Sequence, residues 1–402
     1  MESSLVVDIG SSSTKAGWSG EDTPTAVFPT VLEKGYARHT EAVEAPLYNA
    51  DAAKEGTIPG VLMHRGVVQD WDGVEKYWQT VLNEVGVSQT NTERTPVLLV
   101  DSPSSSVSDR VKWAEILFEG YRAPSLCIGN SASLSIFAAG RTTGVVVDCG
   151  AGLTTSVPVF EGLALTHACT SSEMGGMEVT SRLRKLLKER AGCSVDLPDA
   201  LVLKERLAYV NLAPPLPLSK LNSKAGQRSV GDVATKVVES QSDFTAVHLP
   251  DGREVKIESR YFSDCAEQLI SNDITTFGGL SGQVCESLLL CDDSIRRDLA
   301  RNIIVSGGTS MLPGLGARLE RDLDALLRSK CPESFGGGES ADGAAHVYPS
   351  EAHRESGYTQ QRKHAAWVGG SIFASFESFA QLRVTKQEWE ESAEAALLTK
   401  CF

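Results

Sequence analysis

The sequence predicts an α/β protein built from two similar lobes with a ligand cleft between them. Residues 5–10 form an apolar strand that ends in Asp-x-Gly, and hydroxyl-bearing residues follow at once. The same design returns about 140 residues later, at residues 145–150. Each copy runs into a second β-rich stretch, which is typical of a hairpin with a glycine-containing turn. Two similar hairpins in one chain indicate a duplicated architecture, and ligands commonly bind between such lobes.

Composition sets further limits on the class of protein. The chain has 402 residues, 41% of them hydrophobic and 22% charged, which suits a large core divided into two or three domain-sized units. The net charge of −14 argues against a nucleic-acid binder that works through bulk positive charge. No apolar run approaches the roughly 18 residues of a membrane span, and the first residues carry no secretory pattern. The nine cysteines lack C-x-x-C or zinc spacing, so we expect reduced thiols in a cytosolic or nuclear compartment.

The elements between and after the hairpins follow in chain order. A short apolar run predicts a buried strand at 96–101. The spacing of apolar residues predicts helices at 109–119, 131–139, 178–190 and 200–210.

The last third of the chain continues this alternation of strands and helices. Asp251-Gly252 predicts a hairpin turn between two short strands. A strand at 303–308 breaks at two glycines, a helix follows over 313–324, and 365–380 reads as one buried helix. Three segments are weakly patterned, and the third is predicted to be a flexible insertion: 33–61, 214–243 and 331–357.

The two Asp-x-Gly turns are candidates for binding phosphate. Backbone N–H groups in a tight glycine turn form an anion-binding nest, Ser11 and Ser12 add hydroxyl donors, and Lys15 adds positive charge. Asp8 and Asp148 would face each other across the cleft and hold Mg²⁺ through water molecules. Spacing alone leaves a second interpretation open, in which both segments are structural hairpins.

Two other segments are ambiguous by themselves. The glycines of residues 306–309 would let bare backbone pack on a flat base, or would serve only as a strand-to-helix turn. Lys363 lies in the basic stretch 362–364, which alone favours a solvated face. The seven histidines show no metal-ligand spacing.

Taken in this order, the segments resemble the actin family over nearly the whole chain. Residues 8–18 and 26–29 are similar to the first phosphate hairpin of actins and the strand after it. Residues 140–144 lead into the second hairpin as in actins, and 306–314 match the adenosine loop. Further matches lie at 71–76, 96–99, 367–372 and 400–402, and the resemblance fails in the three weakly patterned segments.

The resemblance implies the actin-type fold, in which a ribonuclease-H-like domain is duplicated and a nucleotide cleft lies between the two copies. The large subdomain of the first lobe would comprise 1–29, 62–138 and 365–402, with 30–61 as its small outer subdomain. The large subdomain of the second lobe would comprise 139–174 and 276–364, with 175–275 as its small outer subdomain.

The resemblance also implies bound ATP or ADP with Mg²⁺ or Ca²⁺. By position, Asp8 and Asp148 are the metal-side carboxylates, which act through water. The phosphate-loop positions are Gly10, Ser11, Ser12, Lys15, Gly150, Gly152 and Leu153. The nucleoside-facing positions are Gly176, Lys204, Glu205, Gly307, Gly308, Thr309, Met311 and Lys363.

Three positions depart from the family where water is oriented for hydrolysis. Actins carry a glutamine and a histidine there, and the ungapped register places Ser131 and Thr155 at these positions. A second carboxylate of the actin hairpin is Ala151 in this chain. Short hydroxyls reach less far, and loss of water-positioning groups slows phosphoryl transfer by orders of magnitude. We therefore expect ATP hydrolysis to be very slow or absent, while Asn130 is an alternative water-positioning group that would preserve slow hydrolysis.

Filament contacts are predicted to be weaker than in actins. The outer loop within 33–61 lacks their hydrophobic tip, and the plug-like segment 270–279 lacks their Pro and Met residues. Both changes reduce the apolar area available for burial between subunits. Phe137, Phe373 and Phe376 match the barbed-end groove that receives partner helices. We expect protein subunits to dock there, and the alternative is that these aromatic residues are simply core.

The sequence thus leads to one function and two alternatives. We expect an actin-like, ATP-binding structural subunit of a cytoskeletal or motor-associated assembly, which binds protein partners and neither nucleic acid nor membrane. Its expected location is the cytoplasm and cytoskeleton, including the axoneme of a cilium or flagellum. The alternatives are a filament-forming ATPase and a nuclear subunit of a chromatin-remodelling complex. A small-molecule kinase would need a carboxylate base beside an acceptor site, and the match over both lobes disfavours it.

Overall fold

A computed structural model describes residues 3–31, 61–88, 91–212, 244–248, 254–270, 278–335, 343–349 and 356–401. The strands are β1 Leu5–Ile9, β2 Ser13–Trp18, β3 Ala26–Pro29, β4 Met63–His64, β5 Val67–Val68, β6 Val97–Asp101, β7 Ser125–Asn130, β8 Gly144–Cys149, β9 Thr154–Phe160, β10 Leu163–Ala164, β11 Thr170–Ser172, β12 Phe244–His248, β13 Glu254–Glu258, β14 Ile303–Ser306, β15 Val347–Tyr348 and β16 Val384–Thr385. The helices are α1 Trp71–Glu84, α2 Val107–Glu115, α3 Ser131–Ala138, α4 Gly176–Arg190, α5 Leu197–Leu207, α6 Arg260–Ile270, α7 Leu280–Leu289, α8 Asp293–Ala300, α9 Leu315–Lys330, α10 Pro332–Phe335, α11 Ser356–Gln361, α12 Ala365–Ala374, α13 Phe379–Leu382 and α14 Lys386–Lys400.

Two large sheets with matching topology form the centres of the two lobes. The first has the order β3-β2-β1-β6-β7-β16, and the second has the order β10-β9-β8-β14-β15, with β11 also pairing with β9. In each sheet the first strand of an antiparallel hairpin pairs in parallel with a later strand, as in Leu5 opposite Val97 and Val145 opposite Ile303. This repeat confirms the predicted duplicated, two-lobed α/β fold.

Helix α3 joins the two lobes covalently and also packs into both cores. It follows β7 of the first sheet and leads to β8 of the second. Its Leu134 lies in a buried cluster with residues of β1 and β6, whereas its Ile136 lies in a cluster with residues of β8 and β9. Because residues of one short helix pack into the cores of both lobes, α3 forms part of the contact between the lobes.

Helix α12 packs directly on α3. A Cβ atom on Gly369 would lie 1.7 Å from the carbonyl oxygen of Leu134, so only glycine allows this approach. The indole N–H of Trp367 donates to the carbonyl of Val6 at 2.9 Å, which fastens α12 to β1. Helices α3 and α12 therefore pack together, and α12 is fastened to β1 of the first sheet.

Both ends of helix α5 differ from their predicted positions. Helix α5 begins at Leu197 rather than 200, because the Asp196 carboxylate accepts the amide of Asp199 and caps it. It ends at Leu207 rather than 210, since the amide of Val210 bonds to Pro313 of another segment.

The predicted helix at 365–380 is two helices. Helix α12 ends at Ala374, where the Ser375 hydroxyl donates to the Ile372 carbonyl and competes with the helical ladder. The turn that follows leaves Phe376 55% exposed. The prediction of one buried helix was therefore wrong.

The segment 331–357, predicted to be a flexible insertion, lies only in part within the described residues, and its glycine-rich middle lies outside them. Its described parts contain helix α10 and strand β15, and β15 pairs in parallel with β14. The segment therefore adds an edge strand to the second sheet.

Other predictions fall largely outside the described residues. They concern the outer subdomain at 30–61, the segment 214–243, the turn at 251–252 and the plug-like segment at 270–279. Strands β12 and β13, which flank residues 251–252, pair antiparallel as predicted. Among the helices that the structure describes, none is long and apolar enough to cross a membrane.

Candidate functional site

The two Asp-x-Gly turns close in the same way. In the first, the amide of Gly10 donates to the carbonyl of Ser13 at 3.2 Å. In the second, the amide of Gly150 donates to the carbonyl of Leu153 at 2.9 Å. Each turn follows the strand that lies inside its sheet, so the duplicated topology brings both turns to one interface between the lobes.

A cavity of about 790 Å³ lies at this interface. Its wall contains every residue that the sequence assigned to the metal, phosphate, nucleoside and water-positioning sets. These residues are Asp8, Gly10, Ser11, Ser12, Lys15, Ser131, Asp148, Gly150, Ala151, Gly152, Leu153, Thr155, Gly176, Lys204, Glu205, Gly307, Gly308, Thr309, Met311 and Lys363. Their assembly around one cavity favours the binding interpretation of the two hairpins over the structural one.

Two of the carboxylates in the cavity wall belong to the strands that lead into the Asp-x-Gly turns. Asp8 lies 3.4 Å from the ammonium group of Lys15, and Asp148 accepts the Ser306 hydroxyl at 2.9 Å. Burial raises the pKa of Asp148, and the negative charge of Asp8 raises it further. Oxygen ligands of like charge in one cavity fit a hydrated divalent cation, which would neutralise both.

The second turn is fastened to three other segments. Its Gly150 carbonyl accepts the Thr309 hydroxyl at 2.8 Å and the Gly176 amide at 3.0 Å. The Gly176 carbonyl in turn accepts the Lys204 ammonium group at 3.2 Å. Burial lowers the pKa of Lys204, since desolvation disfavours its charged form. Three predicted nucleoside-facing residues, Gly176, Lys204 and Thr309, thus line the cavity and also hold the second phosphate turn in place.

Bare backbone forms the cavity wall at Gly307 and Gly308. Gly307 has φ +84°, and a Cβ atom there would lie 2.4 Å from the Cys149 carbonyl and 2.6 Å from an Asp148 carboxylate oxygen. A Cβ atom on Gly308 would meet nothing within 4 Å, so this glycine opens onto free space. A flat ring can approach such a surface closely, which fits the predicted base contact.

The three positions predicted to be degenerate lie in the wall with short side chains. Ser131 is the first residue of α3, Thr155 is buried in β9, and Ala151 lies in the second turn. The alternative group, Asn130, caps α3 instead, since its side-chain oxygen accepts the Ala132 amide at 2.9 Å. Asn130 is not among the residues that line the cavity.

A charged contact between the lobes was not predicted from the sequence. Arg65, in the turn between β4 and β5, pairs with Glu173 and lies 3.5 Å from a carboxylate oxygen of Glu178. The next amide, of Gly66, donates to the hydroxyl of Ser11 in the first phosphate turn at 3.3 Å. We call residues 65–66 the clasp, because they touch the first phosphate turn and carboxylates of the second lobe. The sequence Arg65-Gly66 is typical of a turn. No spacing pattern in the sequence indicates that Arg65 contacts Glu173 and Glu178, which lie more than 100 positions away.

The basic stretch 362–364 is only in part the solvated face that its composition alone predicted, because Lys363 is exposed and its neighbours are not. Arg362 and His364 are half-buried, and the Arg362 carbonyl accepts the Gly307 amide at 3.1 Å. His364 also lines the cavity. Burial and the nearby charges of Lys15 and Lys363 lower the pKa of His364 to about 4. The imidazole is therefore neutral at pH 7, and a cavity-facing role for it had no sequence signal.

The buried carboxylate gives a first prediction, with Asp148→Asn as the change. Because the pKa of Asp148 is higher in the folded protein than in the unfolded chain, its ionisation lowers stability as pH rises through the acid range. We expect the variant at pH 7, without divalent cations, to have a higher free energy of unfolding than the wild-type chain. Denaturant unfolding with and without Mg²⁺ measures this gain, and the variant should be stabilised less by Mg²⁺.

The control for this change is Asp298→Asn, which neutralises an exposed carboxylate on α8. That variant should leave both the stability and the Mg²⁺ response unchanged. A loss of stability in Asp148→Asn would contradict the electrostatic account of the site.

The match to known families agrees with this geometry. A protein-family model described as Actin matches residues 1–207 and 202–402, and these two segments together span the chain. The paired hairpins and the cavity between the lobes lie within the matched segments. The chain belongs to the actin family.

Proposed function

We propose that the chain is an ATP-binding structural subunit of a larger assembly, with little or no ATP hydrolysis and no filament formation of its own. Members of the actin family typically bind ATP or ADP with a divalent cation. The observation that carries the proposal is a cavity wall with a full set of phosphate and metal groups but only Ser131, Thr155 and Ala151 at the water-positioning sites.

Different residues of the cavity wall would bind the phosphates, the cation and the base. The amides of the two turns and the Lys15 ammonium group would hold the phosphates. Asp8 and Asp148 would hold Mg²⁺ or Ca²⁺ through water, and the ion would neutralise phosphate charge when bound. Gly307 and Gly308 would face the base. Bound in this way, the nucleotide contacts both lobes and stabilises their arrangement.

The fate of bound ATP tests this proposal. The purified chain would be incubated with Mg²⁺-ATP for many hours and denatured, and the released nucleotide would be identified by chromatography. We expect intact ATP near one molecule per chain. The double variant Ser131→Gln/Thr155→His restores longer water-positioning side chains, so we expect it to hydrolyse ATP on the order of 100-fold faster in single-turnover phosphate release.

Each outcome has a distinct meaning. ADP in the wild-type chain would show that hydrolysis survives, and cosedimentation after addition of Mg²⁺ and salt would then test the filament-forming alternative. Absence of nucleotide would refute the binding claim. Lys15→Ala is the control, because it removes the phosphate-side charge and should lose nucleotide whatever residues occupy positions 131 and 155.

The clasp is proposed to slow nucleotide release. Gly66 fastens it to the first phosphate turn of its own lobe, and Arg65 reaches carboxylates of the second lobe, so opening of the cleft must break the Arg65 ion pairs. Burial raises the pKa of Glu178, and the Arg65 charge opposes this rise. The clasp therefore keeps a half-buried carboxylate paired while the cleft is closed.

Arg65→Ala is the test of the clasp. Its ion pairs are partly exposed, and such pairs contribute about 1 kcal/mol or less, so we expect nucleotide to leave roughly threefold to fivefold faster. Displacement of a fluorescent ATP analogue by excess ATP measures the rate. Arg122→Ala is a matched control, since Arg122 also has positive φ and an ion pair, 3.0 Å from Glu93, but both partners of that pair lie in the first lobe. Equal effects of the two changes would argue against the clasp.

The partner surface is proposed to lie beside the junction of α3 and α12. The rings of Phe137 and Phe373 stack with centroids 6.0 Å apart, and both side chains are half-buried. Phe376, in contrast, is 55% exposed, next to Ile372 at 38%. Phe137 and Phe373 would form the floor of a groove. Ile372 and Phe376 would contact an apolar face of a partner helix. The proposed setting is the cytoplasm or cytoskeleton, including an axoneme, with the nucleus as the alternative.

Phe376→Glu tests this surface. The change places charge on an exposed position, so the stability of the chain should be unchanged while co-purification of its partner subunits from cells falls at least about tenfold. Leu398→Glu is the matched control, because Leu398 is 57% exposed on α14. Loss of partners in both variants, or in neither, would place the interface elsewhere.

A further inference from the structure

A half-buried histidine, His364, lies in the cavity wall immediately before α12. Its ring nitrogen Nδ1 is buried and has no hydrogen-bond partner in the part of the chain that the structure describes. Most buried polar atoms in proteins are hydrogen-bonded, so an exception needs a physical explanation. Because Nδ1 is enclosed by protein, the other ring nitrogen, Nε2, is the one that can reach a ligand in the cavity.

The direction of α12 places His364 at the phosphate end of the cavity. The Ser371 hydroxyl lies 3.4 Å from the carbonyl oxygen of Trp18, which pairs with the first residue of β1. One turn earlier in the helix, the Trp367 indole donates to the carbonyl of Val6 at 2.9 Å. The helix therefore runs antiparallel to β1. His364 lies three residues before Trp367, on the same face, and so continues towards the Asp-x-Gly turn that follows β1.

The charges that act on the imidazole agree with this position. Burial, together with the positive charges of Lys15 and Lys363, lowers the pKa of His364 to about 4, while the negative charge of Asp8 opposes this shift. Lys15 and Asp8 both belong to the first phosphate hairpin. The ring is uncharged at pH 7, so it offers the cavity a neutral hydrogen-bonding group.

The surroundings of Nδ1 decide which ring nitrogen carries the proton. In a neutral imidazole one nitrogen donates a hydrogen bond and the other accepts one. A proton on Nδ1 would be a buried donor without an acceptor, and such orphaned N–H groups are rare and costly. The proton therefore belongs on Nε2, which makes His364 a hydrogen-bond donor towards the cavity.

We propose that the Nε2–H group of His364 donates a hydrogen bond to a phosphate oxygen of the bound nucleotide. The contact depends on the proposed nucleotide binding and adds the segment before α12 to the two Asp-x-Gly turns as a phosphate-binding element. An uncharged donor suits this place, because Lys15 and Lys363 already supply positive charge there and would repel a third cation. The phosphates would thereby be held to the helix that packs on α3.

Replacement of the ring tests this contact. His364→Phe keeps a ring of similar shape and removes both nitrogens. We expect it to bind Mg²⁺-ATP at least about tenfold more weakly in isothermal titration calorimetry, because hydrogen bonds to charged groups are among the strong ones. Phosphorus NMR of bound ATP locates the contact. At least one phosphate resonance should shift in the variant, while the proton resonances of the adenine ring stay in place.

Two further variants separate a lost donor from a disturbed fold. His364→Gln places an amide N–H near the position of Nε2, so it should recover most of the affinity and the wild-type phosphorus spectrum. His167→Phe is the control, since His167 is exposed and is not among the residues that line the cavity. It should bind ATP as the wild-type chain does.

Thermal unfolding of the nucleotide-free proteins completes the test. His364→Phe removes a buried nitrogen that has no partner, so its Tm should equal or exceed that of the wild-type chain. Absence of nucleotide binding in the wild-type chain would refute the proposed function itself. If the wild-type chain binds ATP, equal binding by His364→Phe or unchanged phosphate resonances would overturn the contact alone. A lower Tm with weak binding in both His364 variants would show a structural role and would also overturn it.

Discussion

The placement of two carboxylates, Asp8 and Asp148, in the wall of one cavity is the constraint on which the rest of the site depends. Each carboxylate ends a strand in the interior of its own sheet, so the duplicated fold itself brings two like charges to one cavity. Lys15 lies beside Asp8 and the Ser306 hydroxyl donates to Asp148, yet burial, together with the charge of Asp8, raises the pKa of Asp148. A ligand that fills the cavity must therefore bring positive charge for the carboxylates and negative charge for the phosphate turns. A nucleotide with its divalent cation brings both.

The contact between α3 and α12 decides how the two halves of the site face each other. Helix α3 places Leu134 in one core and Ile136 in the other, and the missing side chain of Gly369 lets α12 approach it closely. Protein cores transmit displacement rather than absorb it, because they are close-packed. The position of Ser131 in the cavity wall is thus set by packing that lies outside the cavity.

The chemistry of the wall favours holding a ligand over transforming it. The proposed binding groups are backbone amides, the carboxylates of Asp8 and Asp148 and the ammonium group of Lys15, and the clasp adds ion pairs between the lobes. The places from which water would be directed carry a methyl group and two short hydroxyls. A site of this composition suits a nucleotide that stabilises the lobes.

The sequence by itself determined the two hairpins, the duplicated α/β architecture and the Asp-x-Gly turns that line part of the cavity. These features could be predicted because the strand pattern and the glycine turns are local, and because two copies of one local design imply one interface. Helix ends were less certain, since Ser375 and Asp196 set them through individual hydrogen bonds. Only the tertiary structure decided which distant side chains meet, as Arg65 meets Glu178 and Cys401 meets the strand of Cys127. Such pairs depend on where sheets and helices come to lie in space, and no periodicity along the chain records that placement.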